Sequence, residues 1–446
     1  MTRDYPRILT PPPGPKARAI VARDQEYAST CYLKEYPLVI ARGEGTMVED
    51  VDGNRYLDFM AGIAVSSTGY GHPKVVAAVK EAAERFLHIC GSDFYFEGMA
   101  ALCERLAKLA PGTSRKRVFL TNSGTEATEG AIKLARYATG RKALIAFKGA
   151  FHGRSTGALA LTSSKSRQRE GMGPFLPDVY HVAYGYCYRC EFGKTFPDCG
   201  LYCVDHIERD LLCRQLDPQE VAAIFVEPVQ GEGGYILPPP GWLESVRALC
   251  DRHGILMVMD EVQSGIGRTG KMWACEHAGV EPDILLTAKG LGSGLPIGAI
   301  IAKDQVTTWK KGAHGTTFGG NPVCCAAALA TLDLVEGGLM QNAAKMGQRL
   351  MAGAQRLAEK HPVIGDVRGV GLMIGLEFVR DRRSREPYPE LVGPLVQRAF
   401  ARGLLLLGAG PNALRLAPPL VVDEGDVDTA LGILDECLSD AATTGR

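Results

Sequence analysis

Between about residues 75 and 330, short and wholly apolar runs alternate with stretches whose apolar positions recur at helical spacing. The runs are Val118–Leu120, Ala143–Phe147, Ala222–Val226, Ile255–Met259, Ile284–Thr287 and Ile297–Ala302. Strands apolar on both faces belong in a sheet covered by helices on either side, so the pattern predicts an α/β unit with a mostly parallel sheet. Ahead of it, residues 11–16 (PPPGPK) read as an extended lead-in. Leu38–Gly43 and Met47–Asn54 then predict two short strands, the second ending in an Asp-Gly-Asn turn. Beyond residue 330 the pattern predicts a long helix over Asn342–Lys360, short strands such as Gly371–Phe378, and a final helix. This divides the chain into an N-terminal segment (1–60), a large domain (61–329) and a C-terminal third (330–446), the first and last combining as a smaller α+β domain.

Composition narrows the function classes. The 446 residues imply two or three domains, and 50 Lys+Arg balance 50 Asp+Glu. A zero balance removes the electrostatic case for nucleic acid or an anionic membrane as partner. Apolar residues at 46% supply a sizeable core. Glycine is over-represented, at 53 residues, which suggests tight turns and close backbone approach to a ligand. The first thirty residues are Pro-rich and charged without the apolar core of a signal peptide, and no run approaches the ~18 apolar residues of a membrane span. With thirteen scattered cysteines, the expectation is a reduced, cytoplasmic protein.

Ligands of α/β sheets bind beyond the carboxyl ends of the strands, so the residues directly after each run carry the chemistry. After Leu120, Ser123-x-x-Glu126 fits a capping box, with helical spacing onward to Gly140. The free N–H groups of Gly124 and Thr125 would suit a phosphate, although alone this is an ordinary capped helix. After Phe147, Phe151, His152 and Arg154 offer a stacking ring, an imidazole and a carboxylate clamp. After Val226, Glu227 and Glu232 stand beside Gly231, Gly233 and Gly234 as the wall of a site, or as a plain Gly-rich turn.

Asp260 ends the apolar run Ile255–Met259. A carboxylate there is desolvated, which is costly unless it meets a cation. Lys289 follows Ile284–Thr287 on a Gly-rich loop, where lost hydration lowers an amine's pKa and makes it a nucleophile. Either residue alone is unremarkable chemistry, but two strands of one sheet deliver both. An anion cradle, a stacking aromatic, a buried acid and a desolvated lysine are together what pyridoxal phosphate needs. Gly290, Gly292 and Gly294 lack the spacing of a dinucleotide fingerprint.

With these residues in view, the chain resembles the class III (ω-amino acid) aminotransferases of PLP fold type I, closest in look to 4-aminobutyrate and ornithine aminotransferases. Seven segments match in order: Asn122–Ala127, Phe151–Arg154, Glu227–Gly234, Asp260–Gly265, Lys289-Gly290, His314–Pro322 and Arg415–Leu420. The resemblance implies a seven-stranded, mostly parallel sheet and pyridoxal 5′-phosphate as cofactor. It implies that Lys289 holds the cofactor's aldehyde and shuttles the substrate proton, and that Asp260 keeps the ring nitrogen protonated. Gln263 would bond the phenolic oxygen and Phe151 would stack on the ring, with His152 and Val262 also at the cofactor. Ser123, Gly124 and Thr125 would hold the phosphate, joined by Thr317 from a neighbouring subunit, which implies a homodimer with shared sites and leaves pairing into tetramers open.

For substrates the resemblance implies an amino donor and a keto-acid acceptor. Arg154 would take a distal carboxylate and Arg415 an α-carboxylate. Glu232 would pair with Arg415 when no α-carboxylate is present, with Glu227 also at the substrate. Ornithine-specific members carry a Tyr where this chain has Ile63, so an apolar Ile63 favours an ω-amino acid such as 4-aminobutyrate. Ornithine or a broad donor range is the alternative, and a racemase or epimerase with the same cofactor residues is another. One departure is a Cys-rich insertion at about 184–214. Cys187, Cys190, Cys199 and Cys203, with His206 nearby, have a spacing that allows a zinc site, disulfides or inert thiols.

Overall fold

The structure is a computed structural model that describes residues 5–444. Its centre is a seven-stranded sheet of β1 (Lys116–Thr121), β2 (Ala143–Phe147), β3 (Val179–Val182), β4 (Val221–Val226), β5 (Leu256–Asp260), β6 (Ile284–Thr287) and β7 (Gly298–Lys303). The strand order is β1-β7-β6-β5-β4-β2-β3. Strands β2, β4 and β6 are buried throughout, in keeping with their apolar sequences. Helix Gly124–Thr139 packs on this sheet and ends, as the sequence predicts, at Gly140 in the left-handed conformation (φ 69°).

Three features depart from the sequence expectations. Strand β7, expected to be parallel, runs antiparallel to both β6 and β1. The segment joining it to β6 is too short for a crossover helix, so the chain must double back. Strand β3 has no wholly apolar run; it is an edge strand, half-buried throughout. The lead-in is not extended either, because a helix spans Pro15–Tyr27. Gly14-Pro15 is a helix start, with Pro at the first position where its missing N–H costs nothing. The Asp52 carboxylate accepts from the amides of Lys16 (2.9 Å) and Ala17 (3.0 Å).

A four-stranded sheet joins Ile40–Glu44, Met47–Asp50 and Arg55–Asp58 to Leu404–Leu405, so both ends of the chain meet in one layer. A second four-stranded sheet comprises Ile364–Val370, Met373–Phe378, Ala413–Leu416 and Leu407–Ala409, covered by the long helix Met340–Lys360. The helical run Pro322–Lys360, kinked at Gly338 (φ 143°), is by length and composition apolar enough to cross a membrane. Its first part is apolar on every side because Cys325, Ala327, Ala328 and Leu332 are buried, packed against helices Pro73–Arg85 and Glu97–Leu109.

In the Cys-rich insertion, Cys187, Cys190, Cys199 and Cys203 line one cavity of about 20 Å³. Burial, with the three neighbouring thiols, pushes Cys187 up to about 11. Every cysteine is a free thiol, and among the described residues no group of three His, Cys, Asp or Glu side chains is placed to hold a metal ion. Packing fixes the segment: Phe192 sits against Tyr202 and His206, while Tyr186 and Arg189 both bond the buried Glu377 of the second small sheet.

The large sheet is fastened to the small one by Arg268, 1% exposed. Its Nη1 donates to the carbonyls of Leu372 and of Pro418, just beyond the strand that carries Arg415. Burial pulls its guanidinium down to about 10, against the pull of Tyr235 and Asp58. Arg268→Ala strips both carbonyls of their donor and opens a cavity, a loss of about 3 kcal/mol. Thermal melting should register a drop of several degrees, and an unchanged midpoint would show that the fastening lies elsewhere.

Candidate active site

The carboxyl ends of β1, β2, β4, β5 and β6 open onto a cavity of about 420 Å³. Its lining includes Ser123, Gly124, Thr125, Phe151, His152, Arg154, Glu227, Asp260, Val262, Gln263 and Lys289, so eleven of the positions singled out in the sequence meet in one place. Asn122, Val65 and the segment Leu295–Ile297 complete the wall. Of these, Asn122 lies in a segment the sequence marked, whereas Val65 and Leu295–Ile297 have no local signature.

The cradle is built differently from a capping box. Ser123 Oγ accepts from Glu126 N (3.3 Å), but the Glu126 carboxylate turns back one residue further, to Asn122 N (3.0 Å) and Asn122 Nδ2 (2.9 Å). The first-turn amides of Gly124 and Thr125 have no intrahelical acceptor, and they face the cavity at the positive end of the helix. A Cβ at Gly124 would lie 2.8 Å from Val262 Cγ1, so only glycine lets this backbone approach. The Thr125 hydroxyl is committed to the adjoining loop, 2.6 Å from Ser155 Oγ and accepting from Arg154 N (3.2 Å).

Asp260, 5% exposed, is held from two sides. His152 Nδ1 lies 2.7 Å from Oδ2, and Val262 N donates to Oδ1 (3.0 Å). Burial opposes charge on His152, but the Asp260 carboxylate outweighs it and raises the imidazole pKa. This bond between the ends of two strands gives His152 a role that its sequence position did not disclose: it orients and compensates the acid. Glu227 is raised by burial, and its oxygens accept from Phe151 N and Gly231 N (3.0 Å each). It braces the two loops that form the wall. Gln263 accepts from the Tyr235 hydroxyl (2.8 Å), which leaves its NH₂ group as the donor end.

Lys289 has φ 32°, a left-handed backbone that a residue with a side chain adopts at a cost. Burial lowers its ammonium below the ordinary lysine range, with opposition from Glu232, Asp260 and Glu227 and reinforcement from Arg415. The strained turn thus presents an amine with raised nucleophilic character.

Arg415, 5% exposed, donates from Nη1 to Glu232 Oε1 (2.6 Å), and its Nε is buried without a partner. Burial favours the neutral form of each group, but their mutual attraction outweighs it and holds both charged. Arg154 lies with its guanidinium 5.8 Å from the centre of the Phe151 ring. Four sequence-marked positions are not among the residues that line the cavity: Glu232 and Arg415, paired near Lys289, Ile63, 42% exposed on a kinked turn with φ 67°, and the exposed Thr317.

The donor set fits pyridoxal phosphate. Backbone amides and a close-approach glycine suit its phosphate, a charge-compensated acid suits its ring nitrogen, Phe151 and Val262 suit its ring, and a desolvated lysine suits its aldehyde.

Comparison with known proteins gives the same direction. Residues 31–438 match the model of the aminotransferase class-III family. The chain is 40% identical over 410 residues to the 4-aminobutyrate aminotransferase of Escherichia coli, covering 91% of this chain and 94% of that one. It is 38% identical over 448 residues to an alanine/serine racemase of Pyrococcus horikoshii, covering 99% and 94%. The solved ω-transaminase of Pseudomonas jessenii in complex with PMP superposes with a TM-score of 0.90 at 30% identity, covering 95% of this chain and 98% of that one.

Because the neutral amine is the nucleophile, capture of pyridoxal phosphate by cofactor-free protein should accelerate with pH around a midpoint below that of an ordinary lysine. Stopped-flow absorbance across pH measures this, and Lys289→Ala should lose the covalent band while keeping the fold. Asp260→Asn should lower turnover by at least about a hundredfold, since it removes the charge that holds the ring proton. Activity near wild type in either variant would contradict these assignments.

Proposed function

The chain belongs to the class III aminotransferases, a pyridoxal-phosphate-dependent family. From that premise we propose that it moves an amino group from an ω-amino acid such as 4-aminobutyrate to 2-oxoglutarate or another keto acid. The observation that carries this reading is the Glu232–Arg415 pair, closed at 2.6 Å and near enough to Lys289 that both charges act on its ammonium, with Arg154 on the wall of the same cavity as Lys289. A donor without an α-carboxylate places its one carboxylate on Arg154 and leaves the pair intact, so no buried charge is bared. A keto acid such as 2-oxoglutarate places its distal carboxylate on Arg154. Its α-carboxylate then displaces Glu232 and engages Arg415, whose Nε is already without a partner.

When bound, the cofactor supplies an electrophilic carbon and a ring that accepts the electron pair released on deprotonation. Asp260, oriented by His152, holds the proton on the ring nitrogen. Gln263 donates to the phenolic oxygen through the NH₂ that Tyr235 leaves free. Gly124 and Thr125 anchor the phosphate, and Phe151 and Val262 exclude water from the ring. Lys289 Nζ would take the proton from the substrate's reacting carbon, burial having lowered its pKa below the ordinary lysine range and so favoured the amine that acts as a base.

The exposed Thr317 supports an arrangement in which the partner subunit's Thr317 completes the phosphate site, so that a homodimer is the working unit. An apolar Ile63 supports a donor without a second amino group. A cytoplasmic setting, in which the free thiols remain reduced, accompanies the reading.

The half-reaction tests it. Excess 4-aminobutyrate without keto acid should bleach the cofactor's absorption band and release one carbonyl product per active site. A band that persists with 4-aminobutyrate, L-ornithine and L-alanine, together with decaying optical rotation of L-alanine, would replace this reading with racemisation, the activity named for the Pyrococcus horikoshii relative.

A further inference from the structure

Glu232 is held by two cations, and only one of them belongs to the gate just described. Arg415 Nη1 takes Oε1 at 2.6 Å, while Lys165 Nζ stands 3.6 Å from Oε2, on the other side of the same carboxylate. Lys165 is no free surface lysine, since its side chain is 25% exposed. Its backbone is pinned by its neighbours. Ser163 N donates to Ala150 O (2.8 Å), Ser163 Oγ to Phe147 O (3.1 Å), and Ser164 Oγ to Gln168 Oε1 (2.7 Å), with Gln168 itself buried. These bonds tie Lys165 to the loop after β2 that also carries Phe151, His152 and Arg154.

A carboxylate this deeply placed cannot leave one cation unless another receives it. When an α-carboxylate takes Arg415, Glu232 must part from the guanidinium, and the alternative to Lys165 is an uncompensated buried charge. We propose that Lys165 is the resting partner of Glu232 in the open gate, and so a specificity-determining residue for substrates that carry an α-carboxylate. Lys165 is a positioning residue in this proposal, acting through Glu232. The cations that face Glu232 are Arg415, Lys165 and Lys289, with the Tyr235 phenol beside them, and Lys289 is committed to the chemistry. The inference rests on the gate reading of Glu232 and Arg415.

Two non-reacting ligands separate the states in the holoenzyme. Glutarate has carboxylates for both Arg154 and Arg415 and requires an open gate, whereas butyrate has one carboxylate and does not. Calorimetric titration of Lys165→Gln should show the ratio of glutarate to butyrate affinity falling about tenfold from wild type, with Lys165→Arg restoring it. The half-reactions should follow, with KM for L-glutamate rising relative to KM for 4-aminobutyrate. In a Glu232→Gln background there is no charge to hold, so Lys165→Gln should leave the ratio unmoved.

An unchanged ratio in Lys165→Gln, or the same decrease in the Glu232→Gln background, would overturn the proposal. Failure of the gate reading itself looks different. There, Glu232→Gln alone would not improve glutarate binding, and wild type would release no aldehyde from 4-aminobutyrate.

Discussion

The site depends on charge that the fold takes out of water and must then compensate. Asp260 sits at the end of an apolar strand, where an unpaired charge is costly. The 2.7 Å contact with His152 and the amide of Val262 hold it where it can face a ring cation. That requirement explains the surrounding order. His152 must arrive from the neighbouring loop, which fixes the path after Phe147, and Glu227 must brace that loop from below through Phe151 N. Lys289 reaches the same cavity from the end of β6 on a strained turn.

The same principle works on the substrate side with the opposite purpose. Around Asp260 the compensation is permanent, because the ring nitrogen is always the same group. Around Arg415, on the proposed reading, it is exchangeable, so that one arginine would serve substrates with and without an α-carboxylate. Glu232 would supply an internal carboxylate in place of the substrate's own, giving both states a paired arginine. The opening cost then depends on what receives Glu232, and this is why a second cation within 4 Å bears on specificity. Lys165 and Arg415 approach different oxygens of Glu232, so release from one does not demand release from the other.

Much of this was legible in the sequence because function in an α/β sheet sits directly after the strands. Asp260 and Lys289 follow apolar runs that need no tertiary information to find, and helix Gly124–Thr139 is bounded by Ser123 and Gly140. What escaped was set by contacts between distant segments. The bond from His152 to Asp260 spans 108 positions and that from Tyr235 to Gln263 spans 28, and neither has a local signature. The turn of Glu126 toward Asn122, in place of the reciprocal capping box, depends on where β1 delivers the chain. The reversal of β7 followed from a connection length, which the sequence contained but which its apolar pattern did not express.

Fold and site meet in the way the cavity is closed. Arg415 lies on a strand of the small sheet, while Glu232 and Lys165 lie on loops of the large one, so the gate spans the join between the two sheets. Arg268 holds the Pro418 carbonyl three residues beyond Arg415, and Arg368 of the small sheet donates to the carbonyls of Gly234 and Tyr235, close to Glu232. The buried Arg268 and the half-buried Arg368 therefore fix the join that the Glu232–Arg415 pair spans. The Glu232–Arg415 contact thus depends on how the two sheets are joined, whereas Asp260 draws its partners, His152 and the Val262 amide, from the large sheet alone.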